Sequence, residues 1–360
     1  MSENVISQPF EKQQAFAQAI FESLPGLMLI TAVALVANFV APILETYPLF
    51  KTYLSLKDFI LAIIIGIAIR NTVGVPAVFQ PGLRYSTIMT KTGIVVMGSS
   101  YSLAGLVSVG GQALVFIAVF LFGTALIMMW LCNRLGMSSS LGACLAAGMS
   151  VCGVSATIAI APAVKAKNED MAYSIAVVLM FGLLALVAFP LVGRLFNLTA
   201  EQFGAFAGVG IINSAQVLAA GFGYSPDAGK VAGIYNIGRV IFLPFVVLML
   251  ALMAAAQEAK QGNEVAKINK LQMIRDKFPL FILGFIAIVC MNTMGMLSKA
   301  EIKVAKVFME WAFLLGFASI GLTTRLSDLR AAGLKGFLFG FGVAGLKAVL
   351  ALVAVLYFMK

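Results

Sequence analysis

Histidine is missing from all 360 residues, and with it goes the commonest general base and metal ligand among side chains. Charge is scarce: Asp, Glu, Lys and Arg make up 11% of the chain, where a water-facing domain carries about 25%. Acids are the scarcer sign, 15 against 25 basic residues. The four cysteines, Cys132, Cys144, Cys152 and Cys290, all sit in apolar stretches without metal-ligand spacing, which argues against a disulfide framework and a zinc site. Ser150 or Cys152 would be the nucleophile of an enzyme, yet no histidine exists to activate either. Neither catalysis nor a metal nor a cofactor is expected. The short alternating segments of an outer-membrane barrel are missing too.

What the chain does have is apolar residue, 61% of the total, with a mean hydropathy of +1.01. Lipid must be most of its solvent, and backbone polar groups in lipid have to be satisfied within helices. The expected fold is an all-α integral membrane protein of the inner-membrane type. Spans of about 20 apolar residues cross the hydrocarbon core, and eleven candidates fit: 25–44, 59–77, 86–108, 112–132, 138–164, 171–194, 203–223, 229–255, 277–297, 303–324 and 334–358. Residues 1–24, with Phe16, Ile20 and Leu24 at four-residue spacing, read as a cytoplasmic or interfacial segment, and 25–360 as the transmembrane domain. No basic stretch and no small-residue cleavage pattern marks a signal peptide.

The net charge of +10 does not point to nucleic acid, because the basic residues are spread over short connections and helix ends. The long polar connection 257–277 carries Lys260, Lys267, Lys270, Arg275 and Lys277 and belongs in the cytoplasm by the positive-inside tendency. If all eleven spans cross, the N-terminus is cytoplasmic and the C-terminus periplasmic. Arg84, Arg134, Arg194, Arg275, Arg325 and Arg330 then all fall at cytoplasmic connections. Pairing the second to sixth spans (repeat one, about 59–194) with the seventh to eleventh (repeat two, about 203–358) gives inverted five-helix repeats, common in secondary transporters. A rival register pairs Asn71-Thr-Val-Gly74 with Asn292-Thr-Met-Gly295.

Gly148-Met-Ser-Val-Cys-Gly-Val-Ser-Ala156 is poor material for a continuous helix. A break there leaves free N–H groups and the positive end of a half-helix dipole facing the interior, which suits an anion. Gly316-Phe-Ala-Ser-Ile-Gly-Leu-Thr-Thr324 repeats the theme, so two broken helices crossing at the midplane are expected; the alternative for both is close helix packing through small residues. Asn213, Ser214 and Gln216 form a polar cluster that either lines a solute path or bonds between helices. Arg239 and Lys347 lie within apolar spans, where a cation costs roughly 2.5–3.5 kcal/mol on insertion scales and is a functional candidate by default; snorkelling is the alternative, most of all for Lys347. Glu310 is the only acid well inside a span, and Arg70 sits near a span end. Gly340-Phe-Gly-Val-Ala-Gly345 fits a nucleotide-binding pattern, but no strand precedes it.

The run Gly148 to Ala156 with Ala159 and Pro162 resembles the core motif of the YeiH-like sulfate exporter family. Phe203-Gly, Ala207-Gly, Ala215-Gln216-Val217, Ala219-Ala-Gly221, Arg239 and Ile320-Gly-Leu-Thr323 extend the resemblance over most of residues 25–358. That family is similar to the bile-acid symporter and cation/proton antiporter superfamily, which implies two broken helices, an elevator-like core moving against a panel or dimer domain, and room for a homodimer. Where many members carry a His and an acid before the Ala-Gln-Val, this chain has Ile212 and Asn213, so no proton-coupling role transfers. The expectation is a secondary transporter of small anions, sulfate or an organosulfonate, with substrate held by Ser150, Cys152, Gly153, Ser155, Asn213, Ser214, Gln216, Arg239, Ser319, Gly321 and Thr323. The alternatives are a sodium- or proton-coupled cation transporter, for which only Glu310 offers a carboxylate, and a membrane sensor or scaffold that binds without transporting.

Overall fold

The computed structural model describes residues 7–44, 46, 58–260, 271, 272, 275, 278–325, 327 and 334–359. Most of the connection 261–277, Arg330 and residues 1–6 fall outside them, as do the side chains of Phe16 and Ile20. Among the described residues all regular structure is helical. Five helices are long and apolar enough to cross a membrane, or six when a pair bent by 44° counts as one span.

Helix α1 (Ser7–Leu44) absorbs both the expected interfacial segment and the first span without a break. Helices α2 (Asp58–Thr72), α3 (Gln80–Leu83) and α4 (Ser86–Met97) follow. The chain breaks at Tyr101–Ser102 before α5 (Leu103–Arg134), a single helix that runs through the gap expected near residue 110. Then come α6 (Ser139–Ser150), α7 (Val154–Ile160), α8 (Asn168–Leu195), α9 (Ala200–Gly210), α10 (Ser214–Tyr224), α11 (Pro226–Ile241) and α12 (Leu243–Lys260). The last three are α13 (Phe281–Thr293), α14 (Lys299–Thr323) and α15 (Leu334–Phe358).

These helices pack as two bundles. In one, α14 lies along α2 and α4, with α1, α3 and α13 around them; in the other, α8, α11 and α15 enclose α6, α7, α9 and α10, with α5 and α12 alongside. Small residues let the first bundle close. Gly321 and Gly66 sit backbone to backbone, and a β-carbon on Gly316 would lie 2.5 Å from the Thr90 hydroxyl. The Ser319 hydroxyl donates to the Leu83 carbonyl at 2.9 Å. Helix α14 is therefore continuous through Gly316–Thr323, and the second break expected there does not exist. Its glycines and serine are packing positions, as small residues between lipid-embedded helices commonly are.

The first expected break is present: α6 ends at Ser150 and α7 begins at Val154. The other break falls in the seventh expected span, where α9 ends at Gly210 and α10 starts at Ser214. Five-helix pairing thus sets a broken segment against an unbroken one, and that register does not align the breaks.

Neither broken segment crosses the molecule. Thr157 of α7 donates to the Cys144 carbonyl of α6, so the two arms run side by side and antiparallel. On the other segment, the Tyr224 hydroxyl at the end of α10 donates to the Leu198 carbonyl just before α9, at 2.7 Å, and the Tyr224 and Phe203 rings stack at 3.9 Å. Both are re-entrant helical hairpins. Helix α8 connects them, and they enter from opposite faces: Ser140 at the mouth of the first bonds Asp170 at the start of α8, whereas Tyr224 at the mouth of the second also reaches the Gly193 carbonyl at its end.

Two non-crossing segments change the loop assignment between them. Lys165 and Lys167 share the face of Arg134, and Arg194 lies on the opposite face, contrary to the expectation from eleven crossings.

Candidate site at the meeting hairpin tips

The two tips meet halfway along α8. A β-carbon on Gly153 would lie 2.9 Å from Val178 of α8 and 3.2 Å from the Asn213 side chain of the other tip. The first tip forms because Gly153 takes φ +75°, ψ −124°, a conformation closed to side-chain-bearing residues, while its N–H returns to the Gly148 carbonyl at 3.0 Å. The second needs no glycine. Ile211 and Asn213 are extended, and the Asn213 side chain accepts from the Ala215 N–H at 3.0 Å, an N-cap that restarts the helix.

A buried basic side chain serves each tip. Lys347 of α15, 4% exposed, donates to the Met149 carbonyl at the end of α6, at 3.0 Å. Arg239 of α11, 1% exposed, donates to the Ile211 carbonyl at the end of α9, at 2.6 Å, and to Asn236 Oδ1 at 3.3 Å. The C-terminal end of a helix carries partial negative charge and unpaired carbonyls, so the two contacts are equivalent in physics though not in sequence. Arg239 lies within electrostatic reach of Cys152 and of Lys347. No Asp or Glu is fully buried among the described residues, so nothing ionic neutralises the pair.

Several polar atoms of the second hairpin and of α11 beside it are buried without a hydrogen-bond partner: Ser214 Oγ, both amide atoms of Gln216, Tyr235 Oη and Arg239 Nε. Gly182 of α8 leaves the space that the Gln216 amide fills; a β-carbon there would fall on it.

Of the residues singled out from sequence, Ser150, Cys152, Gly153, Asn213, Ser214, Gln216 and Arg239 are at or beside the tips. Ser150 is buried, with its hydroxyl 3.4 Å from its own helix at Ala147, and Ser155 is exposed on α7. Ser319, Gly321 and Thr323 are elsewhere, in the other bundle, and Thr323 bonds within α14. Glu310 is also on α14, half-buried. Sequence reasoning left Lys347 undecided and passed over Gly182. A lysine in the middle of a 25-residue apolar helix was the signal for the first, but Gly182 is one glycine among 34. The Gly340–Gly345 pattern lies inside α15 and is plain helix.

Apolar helices of spanning length, two re-entrant hairpins from opposite faces and two buried basic side chains at their tips define a multi-pass membrane protein with a polar centre. A family model described as Conserved hypothetical protein 698 matches residues 25–340. The chain belongs to the UPF0324 membrane protein family: a UPF0324 membrane protein of Nitratidesulfovibrio vulgaris is 86% identical over 100% of both chains. A second from that organism is 32% identical over 97% of this chain and 98% of its own, and one from Agrobacterium fabrum is 30% identical over 87% and 86%. No solved structure matches the chain.

Proposed function

We propose that the protein is a secondary transporter of small anions. The observation that carries this reading is the pair of buried cations, Arg239 and Lys347, at two re-entrant tips that meet in mid-molecule with no buried acid beside them. The two groups are met by carbonyl dipoles and by no formal negative charge among the described residues, and an anion seated between the tips would supply one. The same absence speaks against a cation antiporter, since Glu310 is in the other bundle. Sulfate and organosulfonates enter as candidates through the sequence resemblance.

Movement would be elevator-like, with the hairpin bundle sliding against the α1–α4, α13, α14 bundle. Much of the contact between them is apolar and ringed, Phe59 and Phe313 against Phe222 of α10 at 6.1 and 5.6 Å between centroids. Polar ties gather near Tyr101–Ser102, where Tyr101 donates to the Lys230 carbonyl and Asn292 to the Tyr101 carbonyl, a natural hinge. The face of Arg134 would be cytoplasmic in the inner membrane by the positive-inside tendency. An inside-negative potential then favours anion exit by about 2.3 kcal/mol per charge per 100 mV, enough to drive export without a coupled ion.

Purified protein in liposomes, loaded with sulfate or sulfonates and challenged with a valinomycin-set potential, tests the reading. Anion efflux that follows the potential is expected. Flux of cations alone, or of no solute, would remove it and favour the antiporter or the sensor.

A further inference from the structure

The anion-transport reading says nothing about the rest of the solute, and Gln216 does. Its side chain is 1% exposed, on the first turn of α10, and neither Nε2 nor Oε1 has a partner. Buried amides are almost always hydrogen-bonded, and leaving both ends unmet is costly. Gly182 of α8 makes the room for that amide, and Ser214 Oγ on the same turn of α10 and Arg239 Nε from α11 are unmet as well.

Arg239 Nε and Gln216 Nε2 are donors and suit an oxyanion. Oε1 is an acceptor only. A fully deprotonated oxyanion such as sulfate cannot satisfy it and would be repelled by its lone pairs. We infer that the solute is a small organic or protonated anion bearing its own hydrogen-bond donor, a hydroxyl, amine or acid proton, which Gln216 Oε1 accepts while the oxyanion faces Arg239. This rests on the transport reading for its setting but concerns recognition, so it is open to separate measurement. A site built to bond a hydroxyl rejects the analogue lacking it far more strongly than an apolar pocket rejects a missing methylene.

The probes are 2-hydroxyethanesulfonate and ethanesulfonate, alike in charge and close in size. Full-length protein is used in two ways: calorimetric binding in detergent and flux in liposomes. The hydroxylated probe is expected to bind at least about tenfold tighter and to be the better carried. In Gln216→Leu, and independently in Gly182→Ala, whose methyl displaces the amide, the ratio of the two affinities should fall towards one. Equal affinities in the unaltered protein, tighter binding of sulfate than of the hydroxylated probe, or a preference that survives both variants would overturn the inference. Preferential binding with no flux of either probe upholds it and removes the transport reading instead; no binding of either probe removes the inference. Thermal unfolding of each variant separates a lost preference from a lost fold, and Gln216→Met, which keeps the side-chain length, repeats the test if Leu is not tolerated.

Discussion

At the scale of single residues the two cations decide the most. Arg239 uses two nitrogens on two different acceptors, Ile211 O and Asn236 Oδ1, across the spread of a rigid guanidinium fork that a compact ammonium on a flexible stem does not reproduce. Arg239→Lys keeps the charge and should lose roughly ten- to hundredfold in flux, the size expected for one charged hydrogen bond; Arg239→Ala should abolish flux at matched protein density. Rates in liposomes check both, and normal flux in Arg239→Ala would show the charge to be a packing accident. Ser319 and Ser150 make a contrasting pair. Because Ser319 ties α14 to the Leu83 carbonyl far from the tips, Ser319→Ala should cost about 1 kcal/mol of stability, read as a lowered Tm in detergent, and leave anion affinity unchanged. A tenfold affinity loss there would return Ser319 to the binding site that sequence reasoning gave it.

The hairpins are the scale at which conformation matters. Gly153 holds positive φ, and a β-carbon on it would lie 2.9 Å from Val178 and 3.2 Å from Asn213, so Gly153→Ala adds steric overlap to a strain of about 1–3 kcal/mol. Gly74 has φ +81° too, but a β-carbon there meets nothing within 4 Å. Gly74→Ala should therefore lower the Tm through strain alone and keep flux, while Gly153→Ala should lower it further and stop flux. Equal losses in the two would mean the tips do not touch in the working protein. The first hairpin was legible as a break because Gly148, Ser150, Gly153 and Ser155 crowd one apolar stretch. The second was not recognised as one: its break, Ile211-Ile212-Asn213, is mostly apolar and lacks glycine, and only the Asn213-Ser214 pair hints at a new helix start. The false break at Gly316–Thr324 had the same composition as the true one. Small residues serve a tight crossing and a sharp turn equally well, and composition does not say which.

For the whole molecule, the re-entrant reading makes a topological claim. In a background where the native cysteines are replaced, Leu135→Cys and Lys167→Cys should label from one side of the membrane and Leu195→Cys from the other. Eleven crossings give a different pattern, with Lys167 opposite Leu135 and Leu195 on its side. An impermeant maleimide applied to intact cells and then to inverted vesicles distinguishes them, and labelling of Leu135→Cys and Leu195→Cys from the same side would return the first hairpin, α6–α7, to a full crossing.

Sequence by itself determined that this is a helical membrane protein, that its chemistry proceeds without histidine, that residues 148–156 interrupt a helix and that Arg239 is out of place in lipid. Each of those follows from composition and local propensity, which act along the chain. Only the tertiary structure decided that two segments of spanning length turn back, that Arg239 and Lys347, 108 residues apart in sequence, serve equivalent carbonyls, and that Ser319 and Gly321 belong to a seam. Hydropathy measures whether a segment is stable in lipid; whether it crosses depends on where its ends are held. Tyr224 on Leu198 and Ser140 on Asp170 hold them here, and such contacts exist only once the chain has folded.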